Sequence, residues 1–168
     1  FIFKLNRILP NSIAFYSISK VLDKHARFDA TSRTYRYFIH KDKDPFKENH
    51  SWYLRKEFNI EKMKEAAQHL LGEQDFTYLS KVHTDVKTNI CDVRDAKWVA
   101  VNSSEIYFEI TANRFLRNMV RAAVGTLIDV GMGKINPDEL IKILDAKDRQ
   151  AASSSVPAHG LFLWEVKY

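Results

Sequence analysis

Ile106, Phe108 and Ile110 alternate with Tyr107, Glu109 and Thr111, and a strict period of two is the signature of a strand with one face buried. The preceding run Asn89–Val101 reads as a second, longer strand. Asn102-Ser103-Ser104 lies between them, so the pair is expected as a β-hairpin. A third stretch, Arg33–His40, sets Tyr35, Tyr37 and Ile39 against Arg36, Phe38 and His40 with the same period. Ile13–Leu22 and Leu161–Tyr168 complete the expected strands, the last with Leu161, Leu163 and Val166 facing one way.

Helical spacing marks other segments. Ile60, Met63, Ala67, Leu70 and Leu71 lie on one helical stripe, with Asn59 placed to cap it and Gly72 to end it. Arg114–Val130 is the most apolar helix, closed by Gly131 and Gly133. Pro137, after Asn136, suits a first helical position, and that helix is expected to run through Leu144. Lys41–His50, Lys81–Thr88 and the Ser-rich Ala151–Pro157 read as loops, and Asp75-Phe76-Thr77 opens a short irregular stretch. Strands and helices do not alternate strictly. The expected fold class is therefore α+β: a mixed, largely antiparallel β-sheet with helices packed on one face. At 168 residues the chain is long enough for one domain with its own core.

Composition narrows the function. A net charge of +5 favours a polyanionic partner. Cys91 is the only cysteine, which removes intramolecular disulfides and cysteine-based zinc sites and suits a reducing cytoplasm. The six histidines show no helical ligand spacing, so no metal is expected. No nucleophile elbow and no Gly-rich phosphate loop occur, so no nucleotide cofactor is expected. No apolar run is long enough to span a membrane. Phe1–Leu9 lacks the pattern of a signal peptide, and a chain opening with Phe-Ile-Phe reads as an internal cut.

Two basic stretches are candidates for chemistry. On the expected helix from Arg114, the residues Arg114, Arg117 and Arg121 share one face. Arg121 is flanked by Val120, Ala122, Ala123 and Val124. A guanidinium in apolar surroundings needs an acceptor. A structural ion pair satisfies it, and so does a catalytic carboxylate or a phosphate. Gly125, one turn on, leaves room for another backbone. The second stretch, Arg27–Tyr37, interleaves Arg27, Arg33 and Arg36 with Phe28, Tyr35 and Tyr37. Basic groups with aromatic neighbours suit phosphates and stacked bases, although a strand with one core face and one solvated face has the same composition.

Taken in order, several segments resemble the TruA-type tRNA pseudouridine synthases. They are Leu5-Asn6-Arg7-Ile8-Leu9-Pro10; His25-Ala26-Arg27-Phe28-Asp29-Ala30 followed by Tyr35-Arg36-Tyr37; Gly72 with Asp75-Phe76; Asn113–Gly125; Lys147-Asp148-Arg149; and Pro157–Leu163. The resemblance implies isomerisation of uridine to pseudouridine in the anticodon stem-loop of tRNA, by a cytoplasmic homodimer without cofactor or metal. It implies a nucleophilic aspartate in a G-R-S/T-D-A-G-V-H-A motif. That motif does not occur here, so the chain is expected to be the C-terminal catalytic and RNA-binding half, inactive by itself, with residues 1–22 the tail of a preceding half. The alternative is a non-catalytic RNA-binding or dimerisation module. By position, Tyr35 matches the tyrosine that stacks on the target base, with Tyr37 the weaker choice. Arg121 matches the arginine that pairs with the aspartate, and Leu161 an apolar residue of the uracil pocket. Arg27, Arg36, Arg114 and Arg117 are the expected RNA contacts. Ser153 and Trp164 depart from the family pattern without touching these roles.

Overall fold

A computed structural model describes residues 1–23, 25–26, 28–80, 88–136, 139, 141–143 and 153–168. In chain order the elements are α1 (Ile2–Ile8), β1 (Ser32–His40), β2 (Trp52–Tyr53), α2 (Ile60–Gln68), β3 (Gly72–Asp75), β4 (Ile90–Ala100), β5 (Glu105–Ala112), α3 (Met119–Gly131) and β6 (Leu161–Lys167). The hairpin and the aromatic strand form where their periodicity places them. β1 lies at the centre, antiparallel to β5, which pairs in turn with β4, and β4 with β3. The other edge of β1 is shared. β6 runs antiparallel along its first half, and β2 adds a short parallel pair at Ile39 and His40. The class is α+β, as expected.

Alternation decides which side is covered. Tyr37 and Ile39 of β1, Phe108 and Ile110 of β5, and Val93 and Ala96 of β4 are buried in one core. α2 contributes Met63, Ala66 and Ala67 to that core, and α3 contributes Met119, Ala123 and Leu127. The two helices pack against each other over the same sheet face. They meet closely at Gly131, where a Cβ would stand 2.6 Å from Met63 Cγ. The Asn59 side chain caps α2, accepting from the Glu61 and Lys62 amides at 3.0 and 3.1 Å. Gly72, at φ +92°, turns the chain out of the helix into β3.

A bulge in β6 answers a question of parity. Leu161 lies opposite Tyr37 and Leu163 opposite Tyr35, and the register then shifts, so that Val166 lies opposite Arg33. The extra residue returns Val166 to the side of Leu161 and Leu163 despite its even number.

Four expectations need correction. The helix expected from Arg114 begins at Met119, because Asn118 takes a left-handed conformation at φ 71° and interrupts it. Arg114 and Arg117 therefore precede α3 and do not share a helical face with Arg121. Ile13–Leu22 forms no strand. Nothing in the described sheet pairs with it, and Ile13, Ile18, Val21 and Leu22 stay exposed. Gly72–Asp75, expected as a helix end and the start of an irregular stretch, is a strand edge on β4. α1 and β2 form where no element was assigned. Of the helix expected from Pro137, Glu139 and residues 141–143 are helical, while Pro137, Asp138, Leu140 and Leu144 lie outside the described residues. So do 81–87 of the expected surface loop and the Lys147-Asp148-Arg149 segment.

Candidate active site and nucleic-acid interface

The first turn of α3 and the loop before β6 form one unit. Arg121 Nε donates to the Val156 carbonyl at 2.7 Å, and the Val156 amide returns a bond to the Arg121 carbonyl at 3.3 Å. One residue on, the Tyr37 hydroxyl donates to the Pro157 carbonyl at 2.7 Å. Asn118 Nδ2 donates to Ser155 Oγ at 2.5 Å. Gly125 completes the grip: a Cβ there would collide with the Ser154 carbonyl. The space expected at this glycine is thus taken by another backbone, residues 154–157 crossing the helix.

This strap fixes the direction of Arg121. With Nε committed to Val156, the rotation of the guanidinium is restrained and its Nη edge is left to bond elsewhere. Among the described residues no carboxylate lies within ion-pairing distance of Arg121. Its surroundings are apolar and aromatic. Tyr37 is fully buried, and its hydroxyl is pushed far above the ordinary tyrosine range by burial, against a smaller opposing pull from the Arg121 charge. It is therefore a permanent donor at physiological pH. Leu161 pairs with Tyr37 across the sheet, and Gly160 lets the Tyr37 ring approach: a Cβ would stand 2.8 Å from its Cζ.

Tyr35 lies two residues along β1 on the same side. It is half-buried, its ring edge-on to Phe115 at 5.0 Å and 86°, and Leu163 stands opposite. Arg121, Tyr35, Tyr37 and Leu161 therefore border the same side of the sheet. Asn118 is a position whose part sequence reasoning missed, and Tyr37, named there only as the weaker stacking choice, is instead the donor that ties the strap to β1. The only available signal was that Tyr37 shares the buried parity of Ile39 on β1.

The proposed RNA contacts separate. Arg114 is half-buried beside Cys91, whose thiol is pushed up to about 11 by burial, with the Arg114 charge opposing. Arg117 is exposed just before α3. Arg33 Nη1 donates to the Ala30 and Asn113 carbonyls at 2.9 and 2.6 Å, which ties it to the residue just before Arg114. Arg36 points to the opposite sheet face. There its Nε meets Glu109 Oε2 at 2.5 Å, and its guanidinium lies 4.6 Å from the Tyr107 ring centroid and 4.1 Å from that of Trp164. Burial raises the Glu109 carboxyl, but hydrogen bonds from Arg36 and Lys97 outweigh it and hold the group below its ordinary range. Arg36 is thus a structural ion pair on the far side from Arg121. Arg27 lies outside the described residues. No group of three or more candidate metal ligands occurs among the described residues, and no described helix is long and apolar enough to cross a membrane.

The sequence model of the family described as tRNA pseudouridine synthase matches residues 66–168, a stretch that holds Arg121, Leu161 and the strap. The chain belongs to the tRNA pseudouridine synthase family. It is 48% identical over 166 residues to tRNA pseudouridine synthase A of Bacteroides fragilis and 49% identical over 166 residues to that of Parabacteroides distasonis, covering 98% of this chain and 66% of each relative. The Bacillus subtilis protein of the same name is 40% identical over 169 residues, covering 99% of this chain and 68% of that relative. The chain thus spans about two thirds of the length of such relatives.

Proposed function

We propose that the chain acts in a tRNA pseudouridine synthase that isomerises uridine in the anticodon stem-loop, with Arg121 gripping a nucleophilic carboxylate carried outside this sequence. The observation that supports it is the Arg121 guanidinium, anchored through Nε on Val156 beside Tyr37 and Leu161, with its remaining edge unmatched by any carboxylate among the described residues. The reaction breaks the bond between C1′ and N1, turns the base, and joins C1′ to C5. The C5 proton leaves and N1 gains one, so nothing external is consumed. A fixed carboxylate serves as nucleophile. Tyr35 stacks on the loosened base, and Leu161 supplies apolar wall while the base turns. Arg114 and Arg117 contact phosphates. Residues 1–22, with Phe1, Phe3 and Ile8 exposed on or beside α1, belong in this reading to the docking surface for the part that carries the carboxylate. The cytoplasm is the compartment we assign, in keeping with a single buried thiol.

Tritium release from tRNA labelled at uridine C5 tests the reading. Protein expressed from the complete coding sequence should release tritium; failure to do so favours a non-catalytic RNA-binding module. Residues 1–168 alone should bind tRNA, lose affinity steeply as salt rises, and release none. Turnover by that chain would remove the external carboxylate from the proposal.

We also propose a homodimer, formed through the sheet face opposite α2 and α3. Phe38, Tyr107, Phe162 and Trp164 cluster there, Trp164 being 53% exposed. Lys97, Glu165 and Lys167 place both signs of charge on or beside the same patch, so a two-fold copy meets opposite charges. Sedimentation should show a dimer that Trp164→Glu converts to monomer; an unchanged dimer rules this face out.

A further inference from the structure

On the far side of the strap lies a cavity of about 480 Å³ that the pseudouridine chemistry does not use. Its walls include Trp52, Tyr53 and His159, with His40, Ser51 and Lys43 also in the lining and Asp44 and Glu48 as its acidic groups. Pro157, whose carbonyl takes the Tyr37 hydroxyl, lines it too, so the cavity and the Arg121 site are neighbours across one residue. The volume is that of a typical small-ligand pocket and accommodates a purine.

The lining selects among bases. Trp52 and Tyr53 offer aromatic surface on which a planar heterocycle can stack. The Tyr53 ring is already stacked on His40 at 5.4 Å, and the Trp52 ring is set edge-on to Tyr37 at 6.4 Å, so both are braced from behind. Asp44 is spoken for: Oδ1 accepts from the Phe46 amide at 2.9 Å, and Oδ2 faces Lys47 Nζ at 3.4 Å. Glu48 has no hydrogen-bond or ion-pair partner among the described residues, which leaves a carboxylate with two acceptor oxygens at the cavity. Of the four RNA bases only guanine presents two adjacent donors, N1–H and the exocyclic amine, to a carboxylate. Uracil flanks its single N–H with carbonyls, and adenine and cytosine set a ring acceptor beside the amine. The His40 ring is buried against Ser51 Oγ at 2.9 Å, and burial and the Lys47 charge lower its pKa, so the cation that a base must share the cavity with is Lys43, which also lines it.

We propose that this cavity receives an unstacked guanine of the RNA substrate, stacked on Tyr53 with Trp52 at the cavity wall, and bound along its Watson–Crick edge by Glu48. The inference rests on the tRNA reading above and adds a base-selective subsite to it. Binding is measured on residues 1–168 by following the Trp52 indole and His159 ring signals in NMR titrations with GMP, IMP, AMP and UMP. GMP is expected to bind in the millimolar range, at least about tenfold tighter than AMP or UMP. IMP, which lacks the exocyclic amine, should fall between. Glu48→Gln should abolish the preference for GMP, and Tyr53→Ala should weaken binding of GMP by about tenfold. Unmodified tRNA should displace GMP. The absence of a saturable shift, or equal shifts from GMP and AMP that Glu48→Gln leaves alone, overturns the site. Micromolar GMP binding that tRNA does not displace overturns the assignment to an RNA base in favour of a free nucleotide. Filter binding of tRNA separates the two levels: tRNA retained without any GMP shift sinks only this subsite, whereas no tRNA binding at low salt sinks the parent reading.

Discussion

Replacing Arg121 by alanine in protein expressed from the complete coding sequence is expected to lower tRNA turnover by about three orders of magnitude. The effect follows from what the guanidinium does in two directions at once. Its Nε is fixed on the Val156 carbonyl at 2.7 Å, so the plane of the group is set by the protein before any substrate arrives. In the function proposed above, the opposite edge matches a carboxylate with two parallel bonds, holding it ionised and aimed. Alanine removes both. The carboxylate drifts and its pKa rises, so the fraction competent to attack falls and the pH profile of turnover moves upward. Arg121→Lys should rescue little, because one ammonium cannot serve the Val156 carbonyl and both carboxylate oxygens in a single plane. Folding should survive: the loss is one hydrogen bond to a loop carbonyl, on the order of 1 kcal/mol. Binding of tRNA should stay close to wild type, since Arg114 and Arg117 remain. A variant that turns over at the normal rate, or whose pH profile does not move, would take Arg121 out of the site.

How far the sequence revealed this arrangement depended on whether the determining contacts were local. β5 and β1 were legible because alternation records a burial that every residue of the strand shares, as Phe108 and Tyr37 do. α2 was legible because Asn59 and Gly72 punctuate an apolar stripe. Failures came where a distant or single residue decides. Asn118 breaks the helix at one left-handed position, and nothing in Arg114–Val130 distinguishes it from an ordinary polar surface residue. Ile13–Leu22 has the residues of a strand, but a strand exists only with a partner, and none is present among the described elements. β2 is two residues long, too short for any period to show.

The site divided in the same way. Arg121 could be singled out because a charge among aliphatic residues is a local anomaly. Gly125 pointed correctly to a close backbone approach. The identity of that backbone, Ser154, lies 29 positions away and no pattern encodes it. Arg36 shows where parity adds to composition. Its basic, aromatic neighbourhood looked like an RNA surface, but the parity of β1 turns it away from Arg121 and onto Glu109. The same parity rule, applied to Arg36 as it was to Tyr35, separates the two faces.

Burial makes the two tyrosines, which share one face of β1, separable by experiment. Tyr35→Ala should abolish turnover, a loss of about three orders of magnitude or more, while tRNA binding persists. Its ring is half-buried and held only at one edge by Phe115, so one face remains for a base. Tyr37 has neither property: it is fully buried, and its hydroxyl is committed to Pro157. Tyr37→Phe should therefore cost about 1 kcal/mol in chemical denaturation, as the Pro157 carbonyl loses its donor, and should reduce turnover only through a looser strap. The informative variant is Tyr35→Phe. It keeps the ring, and if the hydroxyl moves the proton at C5, turnover should fall by about two orders of magnitude with KM unchanged. An unaltered rate in Tyr35→Phe would confine Tyr35 to stacking. An unaltered rate in Tyr35→Ala would exclude it altogether and leave the base to be held by Leu161 and its apolar neighbours alone.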